Sequence, residues 1–307
     1  MPVLRSALIA LSQNPSLRRL MEESRPGRKL SSRFVAGMDV VDALSAAERV
    51  QSHGIASTLD ALGESIRTEA EARQAADVYH QLLDMIAVRK LNANVSLKLT
   101  QMGLGLSIDL AEEIVGSLVE HAAALGNFVR VDMEDSALTQ ITIDLVRCLH
   151  ARPGLRDSVG IVLQAYLFRT ASDIDQLLQE GVRIRLCKGA YKEPADVAYP
   201  RKAEVDANYI HLSQKLLLSP LYHGLATHDP RMIEAAKQFA QEQKIRPDRF
   251  EFQMLYGVRR DLQRALAAEG YGVRLYIPFG RQWYPYFMRR LAERPANVLF
   301  LARNLFR

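Results

Sequence analysis

The sequence predicts an α/β fold of the (β/α)8 TIM-barrel type, and three observations carry that prediction. Eight short β-rich runs alternate with segments of helical period. No composition shift or linker divides the alternating region into halves. Within the strand runs polar and apolar residues alternate, which gives each strand one face for covering helices and one for an enclosed interior. At 307 residues and 48% hydrophobic, the chain is long enough to build such a barrel around a sizeable core.

Ahead of the alternation, Pro2 to about Glu23 is amphipathic, SRPGRK at 24–29 is a basic break, and a second helical pattern runs near Val41 to Ser52. These segments read as a helical arm or lid over residues 1–53, followed by a barrel over 54–307. The strand runs are Gly54 to Leu59, Asn94 to Leu99, Phe128 to Met133, Gly160 to Ala165, Val182 to Lys188, Gly224 to His228, Phe250 to Leu255 and Arg274 to Pro278. Between them lie helix-period stretches such as 107–126, 139–152 and 229–243. A ninth run, RFVAG at 33–37, keeps a doubly wound sheet as the alternative. No G-x-G-x-x-G follows the first strand, so the usual dinucleotide fingerprint is missing.

Composition limits the function. No stretch reaches the eighteen or so apolar residues of a membrane span, and the N-terminal apolar stretch is short, with no convincing cleavage site. A soluble, intracellular protein is expected. Cys148 and Cys187 show neither CxxC nor Cys/His spacing, which argues against a disulfide framework and against a metal site. The net charge of +5 permits attraction to anionic surfaces. Its bases are scattered among nearly as many acids, however, with no recognition helix or aromatic-basic array, so nucleic acid is not an expected partner.

Strand parity identifies the interior. Asn94, Ser96 and Lys98 share one face against Val95, Leu97 and Leu99; Arg130, Asp132 and Glu134 oppose Val131 and Met133. The same split sets Arg183 and Arg185 against Ile184 and Leu186, and Glu251 and Gln253 against Phe252 and Met254. The apolar faces must meet the helices, so the charged faces point inward, where they need partners or ligands.

Barrel enzymes place their chemistry at the C-terminal strand ends. Lys98, Asp132, Gln164, Arg185, Lys188, His228 and Tyr276 fall there, on separate strands. Each has a bland reading: Asp132 as a helix cap, His228 as a turn residue beside a capping Asp229, Gln164 as a satisfied core amide, Tyr276 as packing. Together they form a cationic cup with one acid and one histidine, suited to a small anionic substrate and a large anionic cofactor. Gly189 in KGAY would let backbone approach a ligand closely. Downstream, Arg289 and Arg290 make a forked clamp for a carboxylate, or else a solvated face on which Arg289 pairs with Glu293 at i, i+4. From spacing alone the chain is a barrel oxidoreductase or lyase acting on an acid.

A set of blocks then carries a resemblance: LDALGE (59–64), SLKLTQMG (96–103), RVDMEDS (130–136), IVLQAYLFRT (161–170), RIRLCKGAYKEP (183–194), LATHD (225–229), FEFQMLYG (250–257), and RLYIPFG with RRLAE (274–280, 289–293). In this order, from about Leu59 onward, they resemble proline dehydrogenase in its small monofunctional bacterial form. The resemblance implies a barrel with noncovalent FAD and a final helix displaced over the mouth. It implies that Arg289, Arg290 and Lys98 hold the L-proline carboxylate, with Glu293 orienting Arg290. Tyr276 and Leu255 would pack on the ring, and Asp132 would shape the pocket and serve catalysis with Arg185. Arg185, Gln164 and Met133 would meet the flavin ring, and Lys188, Gly189, Ala190, Thr227 and His228 the rest of FAD. Glu64 would gate the site by pairing with an arginine. The implied reaction gives 1-pyrroline-5-carboxylate, with electrons passed to a quinone and a pyrroline-5-carboxylate dehydrogenase as partner. Location would be cytoplasmic, with the amphipathic N-terminal region allowing peripheral contact at the inner face of the membrane. Another flavin barrel such as a folate reductase, a non-enzymatic paralogue, and hydroxyproline as substrate are the alternatives; Tyr276 favours proline.

Overall fold

In the computed structural model, which describes residues 14–24, 27, 31–63 and 66–293, and side chains in the last helix as far as Met288, eight parallel strands close into a barrel in sequence order. The strands are β1 (Ala56–Ala61), β2 (Ala93–Leu97), β3 (Val129–Val131), β4 (Val159–Gln164), β5 (Arg183–Cys187), β6 (His223–Ala226), β7 (Phe250–Leu255) and β8 (Gly272–Phe279). Every run expected from sequence is a strand, and β1 closes on β8 with Thr58 opposite Tyr276. Two helices precede β1: α1 (Pro15–Glu23) and α2 (Val40–Gln51). The connecting helices are α3 (Glu69–Val88), α4 (Ile108–Ala124), α5 (Thr139–Ala151), α6 (Thr170–Glu180), α7 (Lys202–Leu218), α8 (Pro230–Glu242) and α9 (Arg260–Ala268), and α10 (Tyr284–Glu293) follows β8.

Local chemistry starts these helices where the pattern requires. Asp39 and Asp42 form a reciprocal capping box at α2, Thr68 and Glu71 another at α3, and Asp229 caps α8 with Pro230 in its first turn. The buried faces then meet the outward strand residues: Val95, Leu97, Val129, Val131, Ile161, Ile184, Leu186 and Phe252 sit in one continuous core with the helices.

Two placements set up the site. Helix α2 buries Ala43, Leu44, Ala46, Ala47 and Val50 and packs against β8 and β1, the wall position that the helix after β8 takes in a regular barrel. That leaves α10 to lie over the strand ends. Trp283, Tyr284, Tyr286, Phe287 and Met288 form a second core with Phe34, Val35 and Val258, against Leu62 after β1 and Leu255 at the end of β7. Helix α1 braces α10: the Tyr284 N–H donates to Glu22 at 3.2 Å and Arg18 reaches Gln282 at 3.0 Å. The RFVAG run is not a strand. Its Phe34 and Val35 are buried in a turn, with the Phe34 ring 6.2 Å from that of Phe287, so its apolar character serves the α10 cluster.

Candidate active site at the barrel mouth

At the C-terminal strand ends, inward side chains from β2, β5 and β8 converge on one carboxylate that follows β3. Asp132, just past β3, accepts from the Ser96 hydroxyl (2.6 Å) and Arg185 Nη1 (2.9 Å) on Oδ1, and from the Tyr276 hydroxyl (2.8 Å) and Lys98 Nζ (3.4 Å) on Oδ2. Burial alone would raise its pKa. The charges of Lys98 and Arg185, with hydrogen bonds from Ser96 and Tyr276, outweigh burial and lower it. An ionised carboxylate with four donors is an anchor and a poor proton acceptor at neutral pH, so this geometry does not favour a general base at Asp132.

Arg185 is held as firmly. Its Nε donates to Gln253, its Nη1 also reaches Ser96 at 3.2 Å, and its guanidinium carbon lies 5.4 Å from the centroid of the Tyr276 ring. Lys98 lies 3.5 Å from each oxygen of Asp60 and 3.4 Å from the Tyr276 hydroxyl. Burial would lower the Lys98 pKa, but Asp60 and Asp132 more than offset it and hold the ammonium charged.

Asp60 is the residue that the sequence reading missed. It is 1% exposed at the end of β1, and Tyr79 on α3 donates to it at 3.3 Å. Burial raises its pKa, offset in part by Lys98 and reinforced by Asp132. The expected cup of cations with one acid is therefore corrected: Lys98 and Arg185 face two carboxylates, because charges this buried need counter-charges. The alternation of Thr58 and Asp60 along β1 held the signal. Tyr79 and Gln101, which reach the cup from a helix and a loop, follow no strand parity.

The other expected residues divide. Gln164 is buried at the end of β4 and donates to the Glu134 carbonyl at 2.7 Å. Lys188 is gripped by Asp206 and Asp229, which also bind Arg231; burial would raise Asp229, but hydrogen bonds from Arg231 and Lys188 bring it to about 2. Thr227 is buried and its hydroxyl accepts from the Asp229 N–H at 3.1 Å. His228 Nε2 accepts from the Leu255 N–H at 2.8 Å, tying the ends of β6 and β7 together. Leu255 is half-buried under the α10 cluster, and Ala190 is exposed. Gly189 has a φ of +112°, and a Cβ there would come 2.3 Å from the Tyr166 ring. Close packing of Tyr166 thus already demands this glycine, apart from any ligand. Met133 does not join the cup: the parity that turns Asp132 inward puts Met133 in the main hydrophobic core. Glu64 lies outside the described residues, as do the side chains of Arg289, Arg290 and Glu293. Among the described residues no group of three or more His, Cys, Asp or Glu is arranged to hold a metal, and no helix is long and apolar enough to cross a membrane.

A closed barrel with a charge-balanced, multiply hydrogen-bonded cup at the C-terminal end of its strands defines a (β/α)8 enzyme with a prearranged polar site. More particularly, the chain belongs to the proline dehydrogenase family, whose model matches residues 43–303. It is 39% identical over 303 residues to proline dehydrogenase 2 of Bacillus subtilis, covering 99% of each chain. It is 40% identical over 306 residues to proline dehydrogenase of Deinococcus radiodurans, covering 99% of this chain and 98% of that one. Among solved structures it is similar to proline utilization A from Bdellovibrio bacteriovorus inactivated by N-propargylglycine, with a TM-score of 0.83 and 25% identity over 95% of this chain. It spans only 36% of that longer protein.

Proposed function

We propose that this chain oxidises L-proline to 1-pyrroline-5-carboxylate with FAD as its cofactor, the first step of proline catabolism. The observation that carries the reading is the Asp132 hub, which joins Lys98, Arg185 and Tyr276 in the family's own sequence blocks. Full-length similarity to two monofunctional proline dehydrogenases supports it.

The residues present fit a flavin. Arg185 and Gln164 offer a fixed cation and an amide to the ring system, with the Met133 backbone beside them. Lys188, Thr227 and His228, next to the half-buried Gly189 and the exposed Ala190, offer a cation and polar groups to the rest of the cofactor. When bound, FAD supplies the two-electron oxidant. The chain's own work is positioning. Lys98 stays charged at the mouth, ready for the proline carboxylate, and Arg289 and Arg290 complete the clamp, with Glu293 orienting Arg290. Tyr276 and Leu255 wall the pyrrolidine ring. Asp132 keeps Arg185, Lys98 and Tyr276 in place, so the amine proton passes to solvent while Asp132 remains an anion. Glu64 gates the entrance.

The electrons pass on to a quinone, and a separate pyrroline-5-carboxylate dehydrogenase consumes the product. The chain acts in the cytoplasm, and its net charge of +5 supports transient contact with an anionic membrane surface where quinone resides. Two measurements test the reading. The purified chain supplied with FAD and an artificial acceptor should form a cyclic imine from L-proline and none from a reduced folate; the reverse would transfer it to another flavin-barrel class. Arg289→Met should raise the Michaelis constant for proline by about 30-fold or more, from roughly 2 to 5 kcal/mol of lost carboxylate binding, while FAD stays bound. An unchanged constant would return Arg289 to a solvated helix face.

A further inference from the structure

The opposite end of the barrel interior carries charge that nothing in the proposed reaction uses. Arg130 on β3, Arg183 at the start of β5, Arg274 on β8 and Glu251 on β7 share this N-terminal end. Glu251 is already committed: it accepts from Arg274 Nε at 2.8 Å, Gln253 Nε2 at 2.5 Å and the Tyr222 hydroxyl at 3.2 Å. Among the described residues neither Arg130 nor Arg183 has a carboxylate within ion-pair distance.

Arg130 is 3% exposed. Its Nη1 donates to the carbonyls of Ile161 (3.1 Å) and Arg183 (2.6 Å), whereas its buried Nε has no hydrogen-bond partner among the described residues. Arg183 is half-buried at the rim and makes one weak bond, Nε to the Tyr222 carbonyl at 3.4 Å. Both guanidinium carbons lie over the Phe128 ring, 4.6 and 4.4 Å from its centroid. The two guanidinium groups thus share one ring as a neighbour. The backbone makes room for this arrangement. A Cβ at Gly160 on β4 would lie 2.4 Å from the Arg183 carbonyl, 2.7 Å from Phe128 Cζ and 2.8 Å from Arg130 Nη1, so glycine there seats the Phe128 ring and the buried arginine together.

A buried and a half-buried cation without acid partners among the described residues, the buried one with an unpaired N–H, are costly unless a counter-charge joins them. We propose that the N-terminal end of the barrel binds one small tetrahedral oxyanion, of which inorganic phosphate is the simplest, between Arg130 and Arg183. The half-buried Arg183 is the entry point, and Arg130 is the fixed floor. Burial, then Arg185 and Arg183, push the Arg130 pKa down, and Glu251 opposes them. The site lies at the far end of the barrel from Lys98 and does not depend on the redox reading.

Thermal unfolding of the full-length chain in sodium phosphate and in sodium chloride at matched ionic strength tests the proposal. The midpoint should rise saturably by roughly 5 °C when phosphate reaches about a hundredfold excess over its dissociation constant, with no such rise in chloride. Arg183→Gln should lose that rise, whereas Arg156→Gln, in the surface hollow lined by Arg147, Arg152 and Arg156, should keep it. Equal rises in the two salts would overturn the site. So would a rise that survives Arg183→Gln and disappears in Lys98→Ala, since phosphate would then be binding at the mouth. If Arg183→Gln fails to fold, calorimetric titration of the unmodified chain with phosphate, with L-proline occupying the mouth, decides: heat at one phosphate per chain supports the site, and no heat overturns it.

Discussion

The two ends of the barrel interior treat buried charge in opposite ways. At the mouth, Lys98 and Arg185 meet Asp60 and Asp132, and Asp132 alone accepts four hydrogen bonds. At the base Arg274 pairs with Glu251, and among the described residues Arg130 and Arg183 form no ion pair. The mouth is therefore fixed in place before any substrate arrives, which is what a site working by position and electrostatics requires. The base is held by cation–ring contacts, backbone carbonyls and the space left by glycine. Balance marks the end proposed to do chemistry, and imbalance marks the end proposed to need an ion.

The largest effect is expected from breaking the balanced end. Asp132→Ala leaves Arg185 and Lys98 without their shared anion, and loss of one partner from a buried pair costs about 3–5 kcal/mol. If that loss falls on the transition state, kcat/KM for proline drops by about 10²- to 10⁴-fold. Steady-state kinetics that fall less than about tenfold would show that the hub does not organise the site.

A smaller effect, on stability and not on turnover, is expected at the base. Gly160→Ala forces a Cβ toward Arg130 and the Arg183 carbonyl, an overpacking worth about 1–3 kcal/mol. Denaturant unfolding should show that loss while kcat/KM stays within about twofold. A comparable loss of activity would mean that the two ends are coupled, and the comparison between them would fail.

At neutral pH the smallest effect is expected from a group that titrates only in acid, and it sharpens the electrostatics of the base. His223 accepts the Ile184 N–H on Nδ1, and burial, then Arg130, push its pKa from 6.5 down to about 3. The unfolded chain takes up this proton near pH 6.5, but the native chain only near 3. Stability from this group is therefore complete above 6.5 and is lost as pH falls through that window, at up to about 1.4 kcal/mol per pH unit. His223→Asn keeps an acceptor for the Ile184 N–H and should flatten stability between about pH 6 and 4. An unchanged acid limb would show that His223 gains its proton without unfolding.

Much of this fold was legible because period-2 alternation survives wherever one face meets helices and the other an interior. That pattern located all eight strands and turned Ser96, Lys98, Arg130, Asp132, Arg185 and Gln253 inward. It did not reveal which apolar face meets which. Phe34 and Val35 read as a strand because burial under α10 needs the same residue types as burial in a sheet. The amphipathic pattern of α2 showed a buried face but not its place between β8 and β1. Within the site, Asp60 was overlooked although it alternates with Thr58, since a lone carboxylate in an apolar strand gives little warning of its partner. The Lys188–Asp206–Asp229 network joins residues from a strand end and two helix starts, where no single periodicity applies.

The most direct test of the account is the absorbance spectrum of the purified chain under anaerobic conditions, recorded before and after addition of L-proline. A flavin spectrum with a visible band that bleaches on addition of proline is the expected result. A protein that takes up no flavin, or a bound flavin that proline leaves oxidised, would contradict it.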